Sequence, residues 1–382
     1  MVLTRRAHRA RMLITLWLPN EVLTEIIQYA NRPDQAALCR VSRLFHGLVL
    51  PILNRAISLR LVDKEGRPYE PILTSLLQSL IRNPERADAV QSLSFIRKWA
   101  YKAPVDYDLL TDSIKLMRNL ESLSFNDYRE RTIITRLACL SFPNLSRCRI
   151  RMSRIGVSAA MDLATFLSQH HSIVRLVLRI PGIQGGANSL EPGLNLLPNL
   201  RQYQGTGLFF DRLATRYLQA AQFLLSEIES DVQALKSITN PHVPFVLSRE
   251  FASRALDNSI QKILSPLSVE LPLIGSLQLR VYDIHTGPLG IDALQYVAAQ
   301  LPNFTQIAYF SLTSPELEFF VDAESDQAAF ETWVAAASTL IGCCIGNVAR
   351  RKFREEWEPL SVEDFHKQAG FSVFEPIWPD DD

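Results

Sequence analysis

The chain lacks the features that announce an enzyme. Its 382 residues contain no G-x-x-x-x-G-K, G-x-G-x-x-G, H-E-x-x-H or G-x-S-x-G. A P-loop, a dinucleotide turn, a zinc-protease helix and a nucleophile elbow are therefore absent from the sequence. Gly185-Gly186 has no strand-to-helix context and reads as a turn. The five cysteines, Cys39, Cys139, Cys148, Cys343 and Cys344, are odd in number and form no C-x-x-C pair. That argues against a disulfide framework or a zinc site and suits a reducing compartment, the cytoplasm, the nucleus or both. Lys plus Arg equals Asp plus Glu at 40 each, so no summed charge steers the chain toward nucleic acid or acidic lipid. There is no membrane-length apolar run: Met12 to Leu18 is short and ends at Pro19. Arg5, Arg6, Arg9 and Arg11 precede it with no small-residue cleavage site after it, so residues 1–13 are expected to be a disordered basic tail. His170 and His171 are adjacent and point apart on any regular element, which makes a poor metal site. Cys343-Cys344 reads as a pair of buried small apolar groups. No catalysis, cofactor or metal is expected.

What is present is a well-packed composition, 47% apolar and 21% charged, with two patterned regions. The first is residues 18–53, LPNEVLTEIIQYANRPDQAALCRVSRLFHGLVLPIL. After Leu18-Pro19 and Glu21, an apolar stripe runs through Val22, Leu23, Ile26 and Ile27. A break follows at Asn31-Arg32-Pro33, where Asp34 is placed to cap the next helix. The second stripe is Val41, Leu44, Phe45, Leu48, Val49, Ile52 and Leu53, at helical spacing. Pro51 falls inside it, so the helix is expected to end or kink near Leu50. A helical stretch of this size cannot bury its apolar side alone and needs a neighbour.

This pattern resembles the F-box, the small helical module that docks on the Skp adaptor of cullin–RING ubiquitin ligases. The Leu-Pro start falls on Leu18 and Pro19 and the acidic position on Glu21. The family's first-helix apolar positions fall on Val22, Leu23, Ile26 and Ile27, and a later one on Leu38. Its Val-Ser-Arg-x-Phe signature is Val41, Ser42, Arg43 and Phe45. The resemblance implies an adaptor-binding surface made of Leu18, Pro19, Val22, Leu23, Ile26, Ile27, Leu38, Val41 and Phe45. It spans about a tenth of the chain.

The second region carries the template apolar-x-x-apolar-x-apolar. Copies stand at Val90-x-x-Leu93-x-Phe95, Leu120-x-x-Leu123-x-Phe125, Leu145-x-x-Cys148-x-Ile150 and Ile173-x-x-Leu176-x-Leu178. Others stand at Ile274-x-x-Leu277-x-Leu279 and Phe304-x-x-Ile307-x-Tyr309, with weaker copies at Leu200 and Leu340. Successive starts are 30, 25, 28 and 27 residues apart from Val90 to Leu200. Several copies open on Pro-Asn-Leu or a near variant, at Pro143, Pro198 and Pro302. Helical stretches lie between, at 108–117, 158–169 and 291–301. Strand, helix and return within 25–30 residues resembles a leucine-rich repeat, whose units stack their strands into one parallel sheet. The position of the family's Asn ladder instead holds Tyr128, Ser153, Pro181 and Leu208, so an irregular solenoid is expected. Between Leu200 and Ile274 the period is degenerate, and Asp211 to Ser230 reads as one amphipathic helix. Another helix is expected over Asp326 to Ala337.

The expected fold is therefore α/β: a three-helix F-box at 14–55, an irregular leucine-rich-repeat-like solenoid at 56–345, and a cap and tail at 346–382. Such an architecture resembles that of many fungal F-box proteins. On the outward side of the repeat strands the sequence places Arg147, Arg149, Arg151, Arg175, Arg179 and Arg201, a basic cluster on a neutral chain. Guanidinium groups bind carboxylates and phosphates bidentately, so the cluster is a candidate site for an acidic or phosphorylated segment of a protein substrate. The expected partners are the Skp adaptor, through it a cullin, and that substrate, with no nucleic acid or membrane. An F-box scaffold acting outside any ligase is the alternative.

Overall fold

A computed structural model describes residues 18–61, 70–97, 105–127, 132–152, 155–180, 183–184, 197–206, 218–224, 235, 245–252, 256–282, 291–313 and 323–374. The chain divides into two compact units, Met1–Phe125 with Leu140–Leu145, and Asn126–Cys139 with Ser146–Asp382. No helix among the described residues is long and apolar enough to cross a membrane.

The first unit opens with three helices, α1 (Asn20–Tyr29), α2 (Arg32–Leu38) and α3 (Arg43–Asn54). The starts of α2 and α3 are written in short polar side chains. Asn31 Oδ1 accepts from the Asp34 N–H at 2.9 Å, and Ser42 Oγ accepts from the Phe45 N–H at 3.2 Å. The cap of α2 is therefore Asn31, and Asp34 sits in its first turn, where a carboxylate suits the helix dipole. The helix does not end near Leu50, because α3 runs on to Asn54. Pro51 lies exposed near the end of the helix, where its missing N–H costs one internal bond. The buried Gln35 donates from Nε2 to the carbonyls of Ile27 and Ala30, both at 2.9 Å, and so fastens the end of α1 to α2.

Beyond the helices come β1 (Ala56–Arg60), α4 (Glu70–Arg82), α5 (Pro84–Asp88), β2 (Ser92–Arg97), α6 (Tyr107–Lys115) and β3 (Ser122–Asp127). Strands β1 and β2 are parallel, with Ile57 opposite Leu93 and Leu59 opposite Phe95. The inward triplets do what their spacing asks: Val90, Leu93, Phe95, Leu120, Leu123 and Phe125 are all buried, and Phe95 stacks on Phe125 at 4.8 Å.

The second unit contains α7 (Thr132–Leu137), β4 (Arg147–Arg151), β5 (Ile155–Gly156), α8 (Val157–Gln169), β6 (Arg175–Arg179), β7 (Ile183–Gln184), β8 (Gln202–Gly205) and β9 (Ala220–Leu224). It continues through β10 (Phe245–Ala252), α9 (Leu256–Glu270), β11 (Ile274–Tyr282), α10 (Ile291–Gln300), β12 (Tyr309–Thr313) and α11 (Ala323–Ala336). It closes with β13 (Gly342–Ile345), β14 (Val348–Phe353), β15 (Glu356–Leu360) and α12 (Val362–Gln368). The strand order is β4-β6-β8-β9-β10-β11-β12-β13-β14-β15. Pairing is parallel as far as β13, and β13, β14 and β15 are antiparallel.

One backbone device recurs. At several strand entries consecutive N–H groups donate to a single carbonyl at the entry of the strand before: Val174 and Arg175 to Ser146, Arg201 and Gln202 to Val174, Ile341 and Gly342 to Ala308. The Asn of the recurring tripeptide adds a side-chain tie, since Asn199 Nδ2 donates to the His171 carbonyl and Asn119 Nδ2 to that of Asp88, both at 2.9 Å. The helices pack behind the strands, where Trp333 meets Phe310 edge-on at 5.1 Å and donates to the Leu294 carbonyl.

Two further expectations fail. Residues 220–224 are a strand, not part of a helix, with Leu218, Ala221 and Phe223 buried in the template's three places. The pairing of β9 between β8 and β10 overrides the amphipathic pattern. The copy placed at Phe304 is shifted by three: Ile307, Phe310 and Leu312 point inward, while Tyr309 lies opposite Ser276 and Gly342 on the other face. Tyr128, Ser153, Pro181 and Leu208 lie outside the described residues.

Gly205 is where the sheet has no room for a side chain, because a Cβ there would stand 2.1 Å from the Leu178 carbonyl oxygen. Gly205→Ala must push β8 off β6. The expected cost is about 1–3 kcal/mol or more, read as a lower urea midpoint at unchanged slope.

Candidate functional site: two exposed faces

The three N-terminal helices split their apolar residues between two sides. Leu23, Ile27 and Val49 are buried. Val22, Tyr29, Val41 and Leu44 are exposed, as is Ile26 at 55%. Pro19 is exposed, and Leu18, Leu38 and Phe45 are half-buried. Leu23 and Ile27, expected on the adaptor surface, belong instead to the core of their own unit and present nothing to a partner. Tyr29 and Leu44 were absent from the expected set. Their signal was available: each lies three residues beyond an exposed member, Ile26 or Val41, one helical turn along or at the following helix start.

The second face is the side of the parallel sheet turned away from the helices. Register sets Arg147 opposite Arg175 and Arg151 opposite Arg179, with Arg149 opposite Val177. Neighbouring strands stand about 4.8 Å apart, so these guanidinium groups crowd. Burial, reinforced by Arg151 and Arg175, brings Arg149 down to about 10, and burial with Arg147 lowers Arg175 as well. Arg149 remains charged at neutral pH. Arg147 is exposed and Arg149, Arg175 and Arg179 are half-buried. Arg151 is 3% exposed, so it lies beneath the surface and is not a contact for a substrate. Arg201 precedes β8, and the residue opposite Arg175 is Gln202, so Arg201 stands outside the row.

Along the same face from β8 to β11 buried amides, a hydroxyl and one carboxylate are joined in a row. Gln204 donates to Gln222, Gln222 to Ser248 and to Glu250, and Ser248 to Gln278. Glu250 also faces Arg280 at 3.6 Å. The C-terminal element packs on this same face. Ser361 caps α12 by accepting from the Asp364 N–H at 3.0 Å. Gly370, at φ +79°, turns the chain just beyond the helix. Phe365, Ala369, Phe371 and Phe374 then pack with Ala220, Cys344 and Ala349, flanked by Val246 and Tyr309. Cys344 is held as a thiol, its pKa pushed up to about 12 by burial. At the far end Arg175 donates to the Val373 carbonyl at 2.8 Å, across 198 residues of sequence.

His366 joins this element to the polar row, its Nε2 accepting from Gln278 Nε2 at 3.2 Å. Burial, with Arg280 nearby, lowers His366 from 6.5 to about 4. The folded state thus prefers neutral imidazole, while the unfolded chain takes up a proton near 6.5. Its contribution is fully present above pH 6.5 and is lost as pH falls toward 4. The urea midpoint is expected to drop across that window, and less steeply in His366→Gln.

Among the described residues no cluster of His, Cys, Asp or Glu could hold a metal. His170 is a core residue, its Nδ1 2.6 Å from the Phe166 carbonyl. A family model described as F-box domain matches residues 16–50. The chain therefore carries an F-box domain over the exposed apolar face, and F-box domains are in general the Skp-docking modules of cullin–RING ligases. None of the curated proteins compared with the chain matches it.

Proposed function

We propose that this chain is the non-catalytic substrate-recognition subunit of a Skp–cullin–RING ubiquitin ligase. One observation carries the reading: within the matched segment 16–50, the apolar side chains Val22, Ile26, Tyr29, Val41 and Leu44 stand exposed on one small helical unit. Unpaired apolar surface of this kind marks a protein interface, and the matched family supplies the partner, a Skp adaptor. Leu18, Pro19, Leu38 and Phe45 complete the interface. In this reading residues 14–55 are the F-box, 56–345 an irregular leucine-rich-repeat-like solenoid and 346–382 its cap. The recurring inward triplets and the shared-carbonyl strand entries support the repeat assignment. The arginine face, Arg147, Arg149, Arg175 and Arg179, takes an acidic or phosphorylated segment of the substrate. The rate contribution is positional, since a tethered target meets the ubiquitin-charged enzyme at high effective concentration.

Affinity purification of the tagged chain with mass spectrometry tests this. The wild type should bring down a Skp adaptor and a cullin, and a chain with Ile26→Asp and Val41→Asp should bring down neither. An adaptor without a cullin would instead indicate a scaffold outside any ligase.

A further inference from the structure

The polar row on the sheet has a direction. Glu250 faces Arg280 at 3.6 Å, and its carboxylate accepts from Gln222 Nε2 at 3.0 Å. That contact turns the Gln222 amide so that its Oε1 accepts from Gln204, while its Nε2 also donates to Ser248 Oγ at 3.2 Å. Ser248 then passes its own proton to Gln278 Oε1 at 2.9 Å, which leaves Gln278 Nε2 aimed at His366 Nε2. Every donor in the row points from β8 toward α12, and the row ends on the lone pair of a neutral imidazole. Gln222, Ser248 and Gln278 are fully buried, so none of them can turn to water instead.

A proton on His366 Nε2 would set N–H against N–H across 3.2 Å. Turning the Gln278 amide to offer its oxygen would break the bond from Ser248, whose order is fixed from the Glu250 end. Burial already disfavours the charged ring, and Arg280 adds repulsion. Of the elements packed beside α12, β12 brings Tyr309, β13 the Cys344 thiol and β14 Arg351, which pairs with Glu358 at 3.7 Å. Within α12 itself, Glu363 and Asp364 lie 2.8 and 3.8 Å from Lys367. We propose that His366 is an acid-operated latch: its neutral ring holds residues 361–374 on the sheet, and its protonation opens that element while the strands stay paired. The element follows β15, the last strand of the order, so it can lift without breaking a ladder bond. Opening uncovers the bed of Ala220, Val246, Tyr309, Cys344 and Ala349 and withdraws the Val373 carbonyl from Arg175.

Hydrogen exchange of the full chain, read by mass spectrometry at pH 7 and pH 4.5 and corrected for the intrinsic rate at each pH, tests the latch. With His366 brought from 6.5 to about 4, exchange in residues 361–374 should be about fiftyfold faster at the lower pH, and β11 should be unchanged. His366→Gln keeps an acceptor for Gln278 and takes up no proton, so it should show no such rise. Ser248→Ala frees the Gln278 amide to turn its oxygen toward an imidazolium, so its rise should be several-fold smaller than that of the wild type. Protection of β11 at pH 7 verifies that each variant is folded. Loss of protection in β11 and in 361–374 together is unfolding of the strands as well and overturns the latch. So does an unchanged 361–374 segment in the wild type, or an equal rise in His366→Gln. An equal rise in Ser248→Ala overturns the directed row as its cause.

Discussion

Ile26→Asp combined with Val41→Asp is expected to abolish capture of the Skp adaptor while leaving the fold intact. Both side chains are more than half exposed, Ile26 at 55% and Val41 at 61%, so the folded chain loses little packing. Substitutions at such positions usually change stability by within about 0.5 kcal/mol. In a docked complex the same side chains would be buried, and the new carboxylates would be desolvated without a partner. Anchors at the centre of an interface are each worth about 2–4 kcal/mol, so the pair should weaken binding by a factor of at least about a thousand. Thermal melting of the two proteins should coincide, and titration calorimetry with the adaptor should show no heat for the variant. Ile27→Asp, one residue along, should behave oppositely: Ile27 is 1% exposed, and a carboxylate there should unfold the helices. A double variant that still binds the adaptor with wild-type affinity would remove the basis for the ligase assignment.

That contrast between neighbours also shows what sequence could and could not reveal. Periodicity located the N-terminal helices, and the cap signals at Asn31 and Ser42 lie in plain sight. Yet Val22, Leu23, Ile26 and Ile27 form one apolar stripe, and nothing in the letters separates the side that packs on α3 from the side left open. Both sides are apolar, one because it meets its own fold and the other, in the proposed reading, because it meets a partner. The repeat strands were legible for a related reason: three inward side chains in six residues leave a strong local mark. Where two frames of that mark overlap, as at 304–312, Ile307 belongs to both, and only pairing with β11 and β13 decides. Strand β9 was hidden because its triplet opens at Leu218, only 18 residues after Leu200 instead of a full period. The path of the C-terminal element had no local signal at all. Phe365 and Phe371 meet residues such as Ala220 and Val246, more than a hundred positions away.

The arginine face yields the second large effect. Reversing Arg147, Arg149 and Arg179 to glutamate should abolish substrate capture and spare adaptor binding. Arg151 is left in place, since at 3% exposure a carboxylate there would be buried and the loss of fold would mask the result. Arg175 is left too, because it holds the Val373 carbonyl and its removal would loosen the C-terminal element. The three reversed positions lie on β4 and β6, exposed or half-buried, and turn three positive charges into three negative ones. Charge-assisted contacts to a carboxylate or phosphate are worth about 1.5–3 kcal/mol each, and reversal adds repulsion to their loss. Capture should therefore fall by more than about a hundredfold, measured as substrate recovered with the tagged chain and, for the purified pair, as ubiquitin transferred by the assembled ligase. Lysine at the same three positions keeps the charge but not the bidentate geometry, so it should bind at an intermediate level. If the glutamate variant captures its substrate as well as the wild type does, the arginines are no more than a solvated surface and recognition must lie elsewhere on the chain.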